Sequence, residues 1–350
     1  MTLPYVPKFA YVVQIGSANV GGNLISVYAI NPANGALTVV GSPVATGIQP
    51  ESVTVDPSGQ FAYVANYWSN ISVYTIDPAS GALTAGTAVA AGTRPASVTV
   101  DPSGKFAYVA NFTSNDVYAY AINPANGALT AVVGAGNGTT GTNASGIIAA
   151  GTGPRSVTVD PSGKFAYVAN YTSNNVSVYA IDPVNGALTA GTAVAAGTNP
   201  RSVTVDPSGK FVYVANYTSL DVSFYTIDQA TGALTAPVTA VAAGSLPISV
   251  TVDPSGKFAY VANASSANVS VFAIQTNGTL TAVGTPAAAG TNPWTVTVDP
   301  SGKFAYAANN TLTGTVSVYA IDPASGALIA GTAAAAGICP LSVTTTGAIQ

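Results

Sequence analysis

The stretch Ser156-Val-Thr-Val-Asp-Pro-Ser-Gly-Lys-Phe-Ala-Tyr-Val-Ala-Asn170 decides the fold, because nearly the same fifteen residues return from Ser52, Ser97, Ser202, Ser249 and Thr295. Val157 and Val159 alternate with small polar residues, and Phe165, Tyr167 and Val168 follow, a strand composition with period-two character. Between them Asp160-Pro161-Ser162-Gly163 meets the needs of a type I turn: a side-chain acceptor first, Pro to preset φ, Gly last. The unit is a hairpin.

Working outward, Phe9, Phe61, Phe106, Phe165, Phe211, Phe258 and Phe304 mark seven copies, most of them roughly 46 residues apart. Each Phe strand runs into a polar loop such as Asn170-Tyr-Thr-Ser-Asn-Asn175. A third strand follows, Val176-Ser-Val-Tyr-Ala-Ile181, then a second turn, Asp182-Pro-Val-Asn-Gly186, and a weaker fourth strand from Ala187. Four antiparallel strands in a unit of this length form a propeller blade. The chain starts inside a hairpin, at Pro7-Lys8-Phe9, and ends on Pro340-Leu-Ser-Val-Thr-Thr345, the strand that this hairpin lacks. The expected fold is therefore all-β: a seven-bladed β-propeller of four-stranded antiparallel blades over residues 1–350, a single domain. The C-terminal strand completes the N-terminal blade, which removes the free edge of an open ring. An open solenoid would have no use for two complementary half-units. Two repeats are longer, at Gly16–Asn23 and Val132–Ser145, and both read as surface insertions.

Composition narrows the function. Only 6% of residues are charged, the net charge is −4, and no basic cluster exists, which argues against nucleic acid. No apolar run approaches the roughly eighteen residues of a membrane-spanning helix. The single cysteine, Cys339, excludes an internal disulfide and reads as a small buried residue. No signal peptide is apparent, yet the weakly charged, polar surface favours an extracellular or periplasmic monomer. Without any His, a Ser-His-Asp triad, a His metal site and a His general base are all excluded. No metal and no cofactor are expected.

The two Asp-Pro turns share one face, where Lys105, Lys164, Lys210, Lys257 and Lys303 recur near Asp101, Asp160, Asp206, Asp253 and Asp299. That monotony reads as turn chemistry with a solubilising charge. The recurring Asn66, Asn111, Asn170, Asn216, Asn263 and Asn309 read as side-chain-to-backbone hydrogen bonds at a strand end. The opposite face varies. Around one Pro of each repeat stand Gln49-Pro-Glu51, Arg94-Pro-Ala96, Gly153-Pro-Arg155, Asn199-Pro-Arg201, Leu246-Pro-Ile248, Asn292-Pro-Trp294 and Cys339-Pro-Leu341. The chain's one Glu, its three Arg, its Cys and one of its two Trp all fall at this locus. Glu51, Arg155 and Arg201 are expected around the mouth of one channel. Arg offers a planar fork for carboxylate or phosphate, Glu51 a proton acceptor or an Arg partner, Trp294 a flat apolar wall. Arg94, Asn199 and Asn292 count with them as candidate ligand-binding groups, and Glu51 is the candidate catalytic residue. The alternative is a structural ion pair that plugs the channel.

The run Gly-Ala-Leu-Thr, the Gly-x-x-Pro step, the fifteen-residue hairpin and Val-Ser-Val-Tyr-Ala-Ile-Asp resemble the seven-bladed lactonase-like propellers, close to the YVTN-repeat propellers of surface-layer proteins. The resemblance covers nearly the whole chain. It implies either a 6-phosphogluconolactonase-like activity or a binding or surface module, and a channel site of Glu and Arg together with His. Glu51, Arg155 and Arg201 match that pattern, whereas His is absent. The expected function is therefore a non-catalytic scaffold or binding module with a small anionic ligand or a cell-surface partner. The second expectation is a lactonase-type hydrolase of an anionic sugar lactone. A third is an amplified or engineered repeat with no ligand.

Overall fold

A computed structural model describes residues 5–16, 22–132, 146–235 and 240–349. The insertions expected at Gly16–Asn23 and Val132–Ser145 lie, for residues 17–21 and 133–145, outside the described residues. The described residues form seven antiparallel sheets arranged in a ring, a β-propeller without helices. In blade 4 the strands run in chain order from the channel outward: Pro154–Val159, Phe165–Asn170, Asn175–Ile181 and Leu188–Ala190.

One element departs from the expected pattern. In five blades the fourth strand is broken into two short pieces that both pair with the third, as Leu188–Ala190 and Val194–Ala195 do in blade 4. Gly191 lies between the two pieces and offers no side chain to hold a continuous strand. The second strand also departs from simple alternation, since all six residues of Phe165–Asn170 are buried. Each blade is covered on both faces by its neighbours, so both sides of this strand meet apolar partners. Tyr108 and Val117 of blade 3, for example, share a core cluster with Val168 and Tyr179 of blade 4.

Neighbouring blades are stapled in a repeated way. The hydroxyl of Tyr167 donates to the carbonyl of Gly232 at 3.0 Å, joining blade 4 to the second turn of blade 5. The same bond recurs around the ring, from Tyr11 to Gly81 and finally from Tyr306 back to Gly35. Gly232 has φ +71°, and a Cβ there would strike the Phe165 ring, so the turn needs glycine for two reasons. Closure follows the expected route: Pro340–Ile349 lies antiparallel to Tyr5–Gln14, with Val343 opposite Val12.

The turn face is built as expected. Asp160 is 4% exposed, and its Oδ1 accepts from the backbone of Lys164 at 2.9 Å and of Phe165 at 2.8 Å. Its Oδ2 accepts from the backbone and hydroxyl of Ser162. The Asn series meets its expectation in part: Asn66 and Asn111 donate to the backbone carbonyls of Val64 and Val109 at 3.2 and 3.4 Å, and Asn263 accepts from the Gly244 amide at 3.1 Å. Asn170 is fully buried, but its amide donates to two side chains, Asn175 Oδ1 and Ser177 Oγ, each at 2.8 Å. The bond ties the second strand to the third through side chains, because the backbone there is already spent in the ladder.

Candidate functional site

The innermost strand of every blade carries a bulge at one position. Pro154 pairs with Asn170 and Ser156 with Ala169, which leaves Arg155 as an extra residue. The same shift isolates Glu51, Ala96, Arg201, Ile248, Trp294 and Leu341. A bulged residue escapes the pleat and its side chain is re-aimed, which is why bulges gather beside functional sites. The variable locus read from the sequence is this bulge. The residue before each Pro takes a left-handed conformation, with φ 60° at Arg94, 55° at Asn199 and 56° at Asn292.

Glu51, Arg155, Arg201 and Trp294 line one cavity of ≈ 150 Å³ together with Ala96 and Ile248. The candidates Arg94, Asn199 and Asn292 are not among its lining residues. Asn199 donates from Nδ2 to the Tyr171 carbonyl at 2.9 Å and accepts from the Thr218 hydroxyl at 2.7 Å. Asn292 donates to the Asn310 carbonyl at 3.2 Å. Arg94 belongs one residue earlier in the repeat than the other two Arg, so it stands on the rim rather than on the bulge.

Aromatic rings hold the guanidiniums. Arg94 Cζ lies 4.1 Å from the Tyr67 ring centre and 5.0 Å from that of Phe112. Arg155 lies 4.5 Å from Phe112 and 5.7 Å from Tyr171. Arg201 lies 5.3 Å from Tyr217 and 4.3 Å from Trp294. The Tyr171 and Tyr217 rings, 6.2 Å apart, join the series into an arc over blades 2 to 5. Sequence reading missed Tyr67, Phe112, Tyr171 and Tyr217. The signal was present: each follows the buried strand-end Asn, and the same position holds Ala264 and Asn310 in blades 6 and 7.

Stacking orients a guanidinium without using its N–H donors. Nε of both Arg94 and Arg155 is buried with no hydrogen-bond partner. Burial pushes the Glu51 carboxyl above its ordinary value, and the charges of Arg155, Arg201 and Arg94, in falling order, only partly offset it. Burial lowers Arg155, with Glu51 opposing. Burial and then the Arg155 charge push Arg201 down to about 10, so it remains a cation at neutral pH. The cavity thus holds two ring-stacked cations, Arg155 and Arg201, and one carboxyl displaced towards its protonated form. Such a set has the charge to suit an anion and a carboxyl suited to proton transfer. Among the described residues, no group of three or more His, Cys, Asp and Glu stands where it would hold a metal ion.

The sequence model of the family described as lactonase, seven-bladed beta-propeller, matches residues 8–100, 67–143, 102–250 and 247–344. The chain belongs to this lactonase family. A 6-phosphogluconolactonase of Formosa agariphila is 42% identical over 65 residues, a match that covers 18% of this chain and 17% of that protein. A candidate 6-phosphogluconolactonase of Bacteroides uniformis shares the fold at TM-score 0.82 and 20% identity, covering 97% of this lactonase-family chain and 99% of its own. The periplasmic gluconolactonase of Pseudomonas aeruginosa does so at TM-score 0.79 and 21% identity, over 98% and 99%. The family match and the Formosa relative overturn the expectation of a non-catalytic scaffold and favour its lactonase-type alternative. That expectation rested on the missing His. Proton transfer needs a positioned base, and a carboxylate serves as well as an imidazole once its pKa is raised.

Proposed function

We propose that this protein is a lactonase-type hydrolase that opens an anionic sugar lactone at the channel mouth. Arg155 and Arg201 hold the anionic group, Trp294 covers an apolar face of the sugar, and Glu51 activates water. The observation that carries this reading is the cavity itself: two stacked guanidiniums and the chain's one Glu converge on it from three blades. Ionised Glu51 takes a proton as the water oxygen bonds to the lactone carbonyl carbon. When the tetrahedral adduct collapses, the ring C–O bond breaks, and the departing oxygen takes the proton back. Each charge-assisted bond to the anion is worth on the order of 1.5–3 kcal/mol. All lining residues come from one ring, so the site needs no second chain. An extracytoplasmic location is part of the proposal. It is supported by the weakly charged composition and by the likeness to the periplasmic gluconolactonase of Pseudomonas aeruginosa.

The test is hydrolysis of 6-phosphoglucono-δ-lactone followed by acid release, against its spontaneous opening. The expected result is saturable turnover that Glu51→Gln abolishes while binding of 6-phosphogluconate survives. Turnover no faster than the spontaneous rate would refute the reading.

A further inference from the structure

Below the bulges the channel is ringed by hydroxyls, and the ring is broken at one place. The residue after each bulge is Ser52, Ser97, Ser156, Ser202, Ser249, Thr295 or Ser342, and all seven line the cavity. Six of them do the same work. The Val98 amide donates to Ser52 Oγ, Val157 to Ser97, Val203 to Ser156, Val250 to Ser202, Val296 to Ser249, and Val53 to Ser342, at 3.2–3.5 Å. Each hydroxyl therefore caps an inner-edge N–H of the next blade, a group that the sheet leaves unpaired. The seventh does not. Thr295 Oγ1 is buried and has no hydrogen-bond partner. The Val343 amide is the donor that it would receive by analogy, since Val343 stands opposite Val12 as Val53 stands opposite Val64. At this break a hydroxyl is left unpartnered, and the amide that would fill it is not capped by it.

A buried hydroxyl is costly to leave unpaired, so the gap calls for a ligand oxygen. A β-branched Thr stands here where the other six blades have Ser, and the residue before it is Trp294, the partner of Arg201. Glu51 belongs to blade 2 and Thr295 to blade 7, two blades apart around a cavity of ≈ 150 Å³. That is the scale of one sugar ring, so a single ligand reaches both. We propose that the break at Thr295 is the seat of the lactone carbonyl oxygen. This deepens, and rests on, the lactonase reading. As water adds, the carbonyl electron pair moves onto that oxygen, and Thr295 O–H with Val343 N–H donates to the developing negative charge. On collapse the pair returns, the ring C–O bond breaks, and the oxygen becomes one of the two carboxylate oxygens of the product.

The experiment compares wild type, Thr295→Val and Thr295→Ser with 6-phosphoglucono-δ-lactone as substrate and 6-phosphogluconate as ligand. Val keeps the shape and deletes the donor; Ser keeps the donor. Expected are a fall in kcat on the order of 10² for Thr295→Val with KM nearly constant, near-wild-type kcat for Thr295→Ser, and an unchanged Tm, because the hydroxyl has no protein partner to lose. Product affinity should also weaken about tenfold in Thr295→Val, the size of one lost hydrogen bond. Wild-type kcat in Thr295→Val, or a Tm that falls along with the rate, overturns the assignment. Should wild type bind 6-phosphogluconate without turning over the lactone, the hydrolase reading fails alone. The oxygen seat then stands or falls on whether Thr295→Val weakens that binding. If wild type neither hydrolyses nor binds, both readings fall.

Discussion

Arg201 and Trp294 meet across the channel, guanidinium carbon 4.3 Å from ring centre, although they sit on blades 5 and 7. Both are bulge residues, freed from the sheet pleat at the same level of the ring. The contact positions the Arg without spending a donor, and Tyr217 flanks the same guanidinium at 5.3 Å. Trp294→Ala should therefore loosen Arg201 while leaving the fold intact. A partly desolvated cation–π contact is worth about 0.5–2 kcal/mol. Affinity for 6-phosphogluconate, read by calorimetry, should weaken roughly two- to thirtyfold by the usual conversion, and Trp294→Phe should recover most of it. An alanine variant that binds like wild type would show that Arg201 needs no such support.

The face bearing the turns should be silent. Lys164 and Lys257 contribute only their backbone amides to the buried Asp160 and Asp253, so their ammonium groups are not part of the turn. Exchanging either for Gln should change stability by no more than a few tenths of a kcal/mol, and activity should not move. A loss of turnover in Lys257→Gln would transfer the site to the opposite face, where a second, larger cavity of ≈ 600 Å³ adjoins Lys257 and Lys303.

Closure offers a stability test. Val53 N–H is capped by Ser342, and Pro340–Ile349 also supplies the innermost strand of blade 1. Deleting residues 340–350 would bare the inner edge of Tyr5–Gln14 and uncap blade 2 together. The truncated chain should melt well below the full chain and should associate through the exposed edge. Equal Tm values and a monodisperse truncated protein would contradict this.

The repeat made the fold legible, since one hairpin with its turn chemistry, present six times and completed a seventh time by complementary ends, leaves few arrangements. The site was legible in part, and the limits have physical causes. Glu51, Arg155, Arg201 and Trp294 stood out because rare residue types gathered at one position. The bulge that aims them leaves no mark in composition, because it is a property of pairing with the second strand. Arg94 looked equivalent to Arg155, but one step along the chain separates a left-handed loop residue from a bulge residue. Tyr67, Phe112, Tyr171 and Tyr217 were hidden for the opposite reason: they repeat, and so resembled scaffold. Thr295 differs from its six counterparts by one methyl group, and only the hydrogen-bond ring shows that its hydroxyl is spare.

Glu51 carries the sharpest pH signature. Burial raises its pKa, and the three Arg only partly restore it. The folded state therefore holds this proton more tightly than the unfolded chain, whose Glu titrates near 4.3 by the usual value. Its stabilising contribution is fully present below that unfolded value and is lost as pH rises through the folded pKa. Three measurements follow from one titration. Hydrolysis needs the carboxylate, so the acid limb of kcat/KM should fall at a pH above the ordinary carboxylate range. Sulfate, whose own charge is fixed over this interval, should bind more tightly as pH drops through the same point, because protonation removes a negative charge beside Arg155 and Arg201. Glu51→Gln should flatten both profiles, abolish turnover, bind sulfate at neutral pH at least as well as wild type, and erase this part of the pH dependence of Tm. An acid limb at the pKa of an exposed Glu, with sulfate affinity indifferent to pH, would mean that Glu51 neither titrates inside the cavity nor serves as its base.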